Sequence, residues 1–146
     1  MEADPNRPNA YQNLGGIHFR QKRYRLAAAE LKAATRIDSQ SYALWMNLAL
    51  VQGAAGRWDE ALKALDQALR LRPRATEPYY SLGFVRVAKG DRQGGIQALV
   101  KFLGGSEGTP ASRRLAEEQL RRLKAQDRNS REASRAGTNL AREGRQ

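Results

Sequence analysis

Apolar positions recur along this chain on two scales. Locally they fall three or four residues apart. Tyr11, Leu14, Gly15 and Ile17 lie at i, i+3, i+4 and i+6 and form the one-sided stripe of an amphipathic helix. Over a longer distance the pattern copies itself. Shifting the chain by 34 residues lays Trp45-x-x-Leu48-Ala49 with Ala61, Leu65 and Ala68 onto Tyr11, Leu14, Gly15, Ala27, Leu31 and Ala34. The opposite shift gives Tyr79, Leu82, Gly83, Gly95, Leu99 and Phe102. Breaks fall between the stripes at Lys22-Arg23, Gly56 and Gly90-Asp91. Gly56 suits a left-handed helix end, Asp91 suits an N-cap, and Pro73 stops the second helix of its copy. Each copy therefore predicts two helices, in repeats 8–41, 42–75 and 76–109.

This period, with its aromatic–Leu–small opening and small residues in the second half, resembles the tetratricopeptide repeat, a helix–turn–helix array. The resemblance implies an all-α solenoid of about seven helices that serves as an interaction scaffold. Small residues at Gly15, Ala49 and Gly83, and at Ala27, Ala61 and Gly95, let paired helices approach closely. Tyr11, Trp45 and Tyr79 fill the space between neighbouring repeats. The third copy departs from the pattern. Arg92 replaces the aromatics Tyr24 and Trp58, Phe102 replaces Ala34 and Ala68, and Glu107 replaces the proline. A terminal repeat is expected there, followed by a capping helix over 110–125 that opens at Thr109-Pro110. Leu115, Ala116, Leu120 and Leu123 would form its apolar face. The repeat domain would thus span 8–125.

Residues 1–7 are expected to be flexible. From 126 to 146 only Leu140 is a large aliphatic residue, so a basic tail without fixed structure is expected. A helical extension through Arg131-Glu132-Ala133 is the alternative.

Composition narrows the function. The formal charge of +11, carried by 20 arginines and 6 lysines, points to an anionic partner or to a soluble arginine-rich scaffold. Net +7 over 8–109 and +5 over 110–146 spread the excess along the chain. No apolar run is long enough to span a membrane, and no secretory signal opens the chain. A cytoplasmic protein is therefore expected. The absence of cysteine removes disulfide and thiol chemistry.

No catalytic constellation is expected. His18 has no cysteine or second histidine to share a metal, and Asp59-Glu60 are adjacent on a helix and point in different directions. Gly104 to Gly108 lack the Lys-Ser/Thr ending of a phosphate loop. No cofactor is implied.

The resemblance does imply a peptide-binding concave face lined by the first helix of each repeat. It places Gln12, Asn13, Gly16, Phe19 and Arg20 there, then Met46, Asn47 and Leu50, then Tyr80, Ser81 and Phe84. Asn13, Asn47 and Ser81 form a column able to hydrogen-bond an extended backbone. Met46, Leu50, Tyr80 and Phe84 give an apolar floor. Gln12, Gly16, Glu77 and Ser81 stand where chaperone-binding relatives grip a C-terminal carboxylate, and only Asn47 matches that clamp. Recognition of chaperone tails is not expected. The favoured function is a non-enzymatic adaptor for a protein segment. The alternatives are binding of nucleic acid or an anionic surface through Arg20, Lys22, Arg23 and Arg25 with the tail, or a module of a larger assembly protein. The oligomeric state is left open.

Overall fold

The structure is a computed structural model that describes residues 8–145. The expected flexible stretch 1–7 lies outside them. Seven helices and no strand occur among the described residues: α1 Pro8–Arg20, α2 Tyr24–Ile37, α3 Tyr42–Ala54, α4 Trp58–Leu71, α5 Glu77–Ala88, α6 Arg92–Gly104 and α7 Pro110–Glu143. The chain divides into two compact units, with the boundary between Glu107 and Gly108.

The first unit is an all-α helical repeat solenoid. Its six helices pair as hairpins, α1 with α2, α3 with α4 and α5 with α6, and successive hairpins meet through α2–α3 and α4–α5. Each hairpin closes in the same way. Lys22, Gly56 and Gly90, one period apart, have φ of 59°, 72° and 89°. The following N–H, from Arg23, Arg57 and Asp91, donates to the carbonyl of His18, Gln52 and Arg86 at 2.8, 2.9 and 2.9 Å. This is the six-to-one bond that ends a helix in a Schellman turn. Glycine enters that conformation freely, whereas Lys22 does so against its own Cβ.

Helix pairing then depends on what is missing at three glycines, two of them facing each other across the α5–α6 crossing. A Cβ added to Gly83 would stand 2.6 Å from Leu99 Cδ2, and one on Gly95 2.5 Å from Val87 Cγ2. A Cβ on Gly15 would meet Leu31 Cγ at 3.0 Å. In the middle hairpin Ala49 and Ala61 are buried at the same columns. Around these contacts Leu31, Leu44, Leu48 and Leu65 form one core, with Tyr11, Trp45 and Tyr79 half-buried against it. The Trp45 indole N–H donates to the Ser39 carbonyl at 2.9 Å. One expectation fails at the start of the array. Leu14 and Ile17 are 44% and 41% exposed, and Gly15 is the only buried residue of α1. Among the described residues α1 packs chiefly on α2, and these two side chains stay exposed.

Two polar features shape the rest of this unit. Gln52 is 1% exposed, yet neither its amide nitrogen nor its oxygen has a hydrogen-bond partner among the described residues. Glu107, where the repeat pattern has proline, reaches back to the start of α5. Its Oε2 accepts from the backbone N–H of Thr76 at 2.7 Å and of Glu77 at 2.6 Å. Two otherwise unpaired amides at a helix N-terminus are thereby satisfied. These bonds, the one from Glu77 first, hold the Glu107 carboxyl below its usual value.

The second unit contains α7. Thr109 caps it, its hydroxyl accepting from the Ser112 N–H at 3.1 Å. Of the expected apolar face, Ala116 and Leu123 are buried, while Leu115 is 52% exposed. The helix continues to Glu143, so the helical alternative replaces the tail expected from 126. Alanine, arginine, glutamate and glutamine are good helix formers, no proline follows Pro110, and Arg131 pairs with Asp127 one turn back at 3.1 Å.

Three predictions follow from the packing and the polar contacts. Ala61→Leu should cost roughly 1–3 kcal/mol by overpacking the α3–α4 crossing, while Lys63→Leu should change stability little, because that side chain is 75% exposed. Chemical denaturation of the two variants checks the contrast. Gln52→Met, which keeps the volume and removes two buried unpaired polar atoms, should stabilise by roughly 1–3 kcal/mol; an unchanged or lower denaturation midpoint contradicts it. Glu107→Ala should lose about 0.5–1 kcal/mol at neutral pH, the low end for a cap because the site is exposed. A depressed carboxyl stabilises above its unfolded value, 4.5, and that contribution disappears as pH falls through the folded value. Melting curves of the wild type and variant should therefore converge on acidification below that point.

Candidate peptide-binding groove

The first helices of the first two hairpins face a common cavity of about 320 Å³. α1 contributes Gln12, Asn13, Gly15, Gly16, Phe19 and Arg20, α2 contributes Leu31, and α3 contributes Asn47, Leu50 and Val51. Seven sequence-predicted residues thus meet at one cavity: Gln12, Asn13, Gly16, Phe19, Arg20, Asn47 and Leu50. Helical spacing explains the set. Asn13, Gly16 and Arg20 lie three and four residues apart, as do Asn47, Leu50 and Val51, so each trio shares one side of its helix. Gly16 keeps the cavity open, since a Cβ there would touch nothing within 4 Å.

The polar groups of this cavity are unspent. The side chains of Gln12, Asn13, Arg20 and Asn47 make no hydrogen bond or ion pair to other described residues. No carboxylate is among the lining residues. Phe19, Leu31, Leu50 and Val51 supply apolar walls, and the Phe19 ring lies 5.6 Å from that of Tyr24. Amide donors and acceptors above an apolar floor can hold a polypeptide backbone together with a side chain.

The remaining predicted residues lie apart from this cavity. Met46 is half-buried against the core and is not among the residues that line this cavity. Tyr80, Ser81 and Phe84 stand on α5, with the Tyr80 ring 4.9 Å from Phe84 and 5.3 Å from Phe102. Burial raises the Tyr80 phenol above its usual value. Leu31 and Val51 were not foreseen in the site. Both belong to the buried core and line the cavity from beneath.

The charged candidates are occupied elsewhere. Asp59 pairs with Lys89, which depresses its carboxyl, and Glu60 lies 3.6 Å from Lys63. Among the described residues no group of three His, Asp or Glu could hold a metal ion, and no helix is long and apolar enough to cross a membrane.

Comparison with known proteins gives the same architecture. The family profile of the TPR repeat matches residues 54–90, and that of anaphase-promoting complex, cyclosome, subunit 3 matches residues 1–68. No curated protein sequence matches the chain. Among solved structures, the first TPR of Spaghetti (RPAP3) bound to the HSP90 peptide SRMEEVD is 18% identical, with a TM-score of 0.72 over 86% of this chain and 96% of that one. The TPR domain of Sgt2 from Aspergillus fumigatus is 22% identical, with a TM-score of 0.72 over 83% and 82%. The Yersinia enterocolitica type III secretion chaperone SycD, in complex with a peptide of the translocator YopD, is 14% identical, with a TM-score of 0.73 over 82% and 93%. Three hairpins on a 34-residue period, closed by the same turn, matched over residues 54–90 by the TPR profile and along most of the chain by these folds, give this chain the architecture of a tetratricopeptide-repeat array.

Proposed function

We propose that the chain is a non-enzymatic adaptor that binds an extended segment of a partner protein in the cavity between α1 and α3. The observation that carries this reading is the set of unpaired amides, Gln12, Asn13 and Asn47, over the apolar wall of Phe19, Leu31 and Leu50. Similar folds in complex with an HSP90 peptide and with a translocator peptide support the class of ligand. Tyr80, Ser81 and Phe84 extend the same role along α5 as further contacts for a longer segment. Arg20, the only cation among the described residues that line the cavity, favours a segment with an acidic residue near its edge. Of the groups with which chaperone-binding relatives grip a C-terminal carboxylate only Asn47 is present here, so the segment is held internally rather than by its C-terminus.

Two substitutions test the reading on peptides selected for binding the wild-type protein. Asn47→Ala removes an amide that only the ligand satisfies and should weaken binding at least fivefold, within the roughly 1–3 kcal/mol of a lost buried partner. Gly16→Leu should block the cavity while leaving stability equal or higher, because leucine is the better helix former by up to about 1 kcal/mol. Fluorescence anisotropy at two salt concentrations should also show a shallow salt dependence. Unchanged binding in both variants, or a thousandfold fall in affinity from about 50 to 200 mM salt as for a polyphosphate ligand, rejects the groove.

A further inference from the structure

Five of the eight arginines of α7 fall on a strict period that neither the repeats nor the groove uses. Arg114, Arg121, Arg128, Arg135 and Arg142 are seven residues apart. All five are exposed, and none has an ion-pair partner among the described residues. Lys124, Arg131 and Arg145 lie three residues after members of this row. From Arg121 to Arg135 the spacing therefore alternates three and four, the a and d spacing along which one helix meets another.

The row lies on the free side of its helix. Ala116 and Leu123, the buried residues of α7, stand two positions beyond Arg114 and Arg121, about 200° round the helix. Like charges at i, i+3 and i, i+4 repel and destabilise a helix. Arg121, Lys124, Arg128, Arg131 and Arg135 form an unbroken ladder of such neighbours, and of these Arg131 alone is paired, with Asp127. An anionic surface matching that ladder would remove the repulsion.

We propose that this row is a docking surface for an acidic α-helix of a partner protein, one carrying carboxylates at the same alternating spacing. Its length and path select that occupant. The row from Arg114 to Arg142 spans about 42 Å and drifts about 20° per heptad in the left-handed sense, the path of a second helix crossing at about 20°. Such a helix presents a carboxylate to each cation, at intervals of about 10.5 Å for the arginine row. A straight row of that length meets few phosphates of a nucleic-acid duplex, whose strands wind once in about 34 Å. Residues 110–146 contain no aromatic side chain, so single-stranded bases have no stacking platform and a membrane has no aromatic anchor. A second copy of this helix would bring arginine against arginine.

The test uses the full chain and a designed four-heptad helical peptide with glutamate at every a and d position. A second peptide of identical composition carries the glutamates off that spacing. The matched peptide should bind at least tenfold more tightly than the rearranged one. Changing the five row arginines to glutamine should abolish that advantage, while Arg23, Arg25, Arg36, Arg57 and Arg74 changed to glutamine should leave it within about threefold, although the charge change is the same. Circular dichroism monitors helicity, which glutamine and arginine support about equally. In a further variant with the row changed to glutamate, the preference should pass to a peptide with lysine at a and d. Equal binding of the two glutamate peptides, or equal loss in the two glutamine variants, would reduce the effect to unspecific charge and overturn the proposal. A duplex DNA probe bound more tightly than the matched peptide, and lost with the row, would overturn it in favour of nucleic acid.

Discussion

Everything in the repeat unit depends on how closely two helices of a hairpin can approach. At Gly83 and Gly95 a methyl group would stand 2.6 and 2.5 Å from side-chain carbons of the facing helix, inside any tolerable contact. The absence of side chains at the crossing fixes the separation of the hairpin, and that separation lets Leu65, Leu99 and their counterparts fill the remaining volume. Alanine serves at the same columns of the middle hairpin, where Ala49 and Ala61 are buried. Because a single hairpin cannot bury both of its faces, stacking on the next supplies the rest of the stability. The cost shows at α1, where Leu14 and Ile17 remain exposed.

Repetition also explains how a binding surface arises without special residues. Identical turns return each first helix to the same orientation, so columns of side chains line up across repeats. Asn13 and Asn47 face one cavity because they occupy one column. Their amides are left unpaired because no intramolecular partner occupies that side. The same regularity creates a liability at Gln52. Its column holds a polar residue in all three repeats, and in the middle one burial is complete enough to strand the amide. Arg86, in the next repeat, reaches the Gly94 carbonyl instead.

α7 follows a different logic. Its periodicity lies in charge rather than in apolar residues, and charge on an isolated helix opposes helix formation where like neighbours stack. Good intrinsic helix formers and the Thr109 cap keep it helical through this repulsion. A scaffold that offers amides in one place and a cation ladder in another can distinguish partners by chemistry: buried hydrogen bonds for one, long-range charge matching for the other.

The sequence by itself determined the hairpins, their boundaries and the small-residue columns, because a 34-residue period leaves little freedom once glycines and alanines recur at matching places. It also pointed to most of the side chains that line the cavity between α1 and α3, since residues three and four apart on a helix must share a side. Three matters were decided only by the tertiary structure. Met46 packs against the core outside the cavity while the core residues Leu31 and Val51 line it, a division that no periodicity records. Glu107 became the cap of α5, a contact between residues 30 apart that local pattern cannot foresee. The helix of residues 126–143 was hidden because low apolar content was taken as disorder. Helicity there rests on backbone propensity and local ion pairing, which burial patterns do not measure.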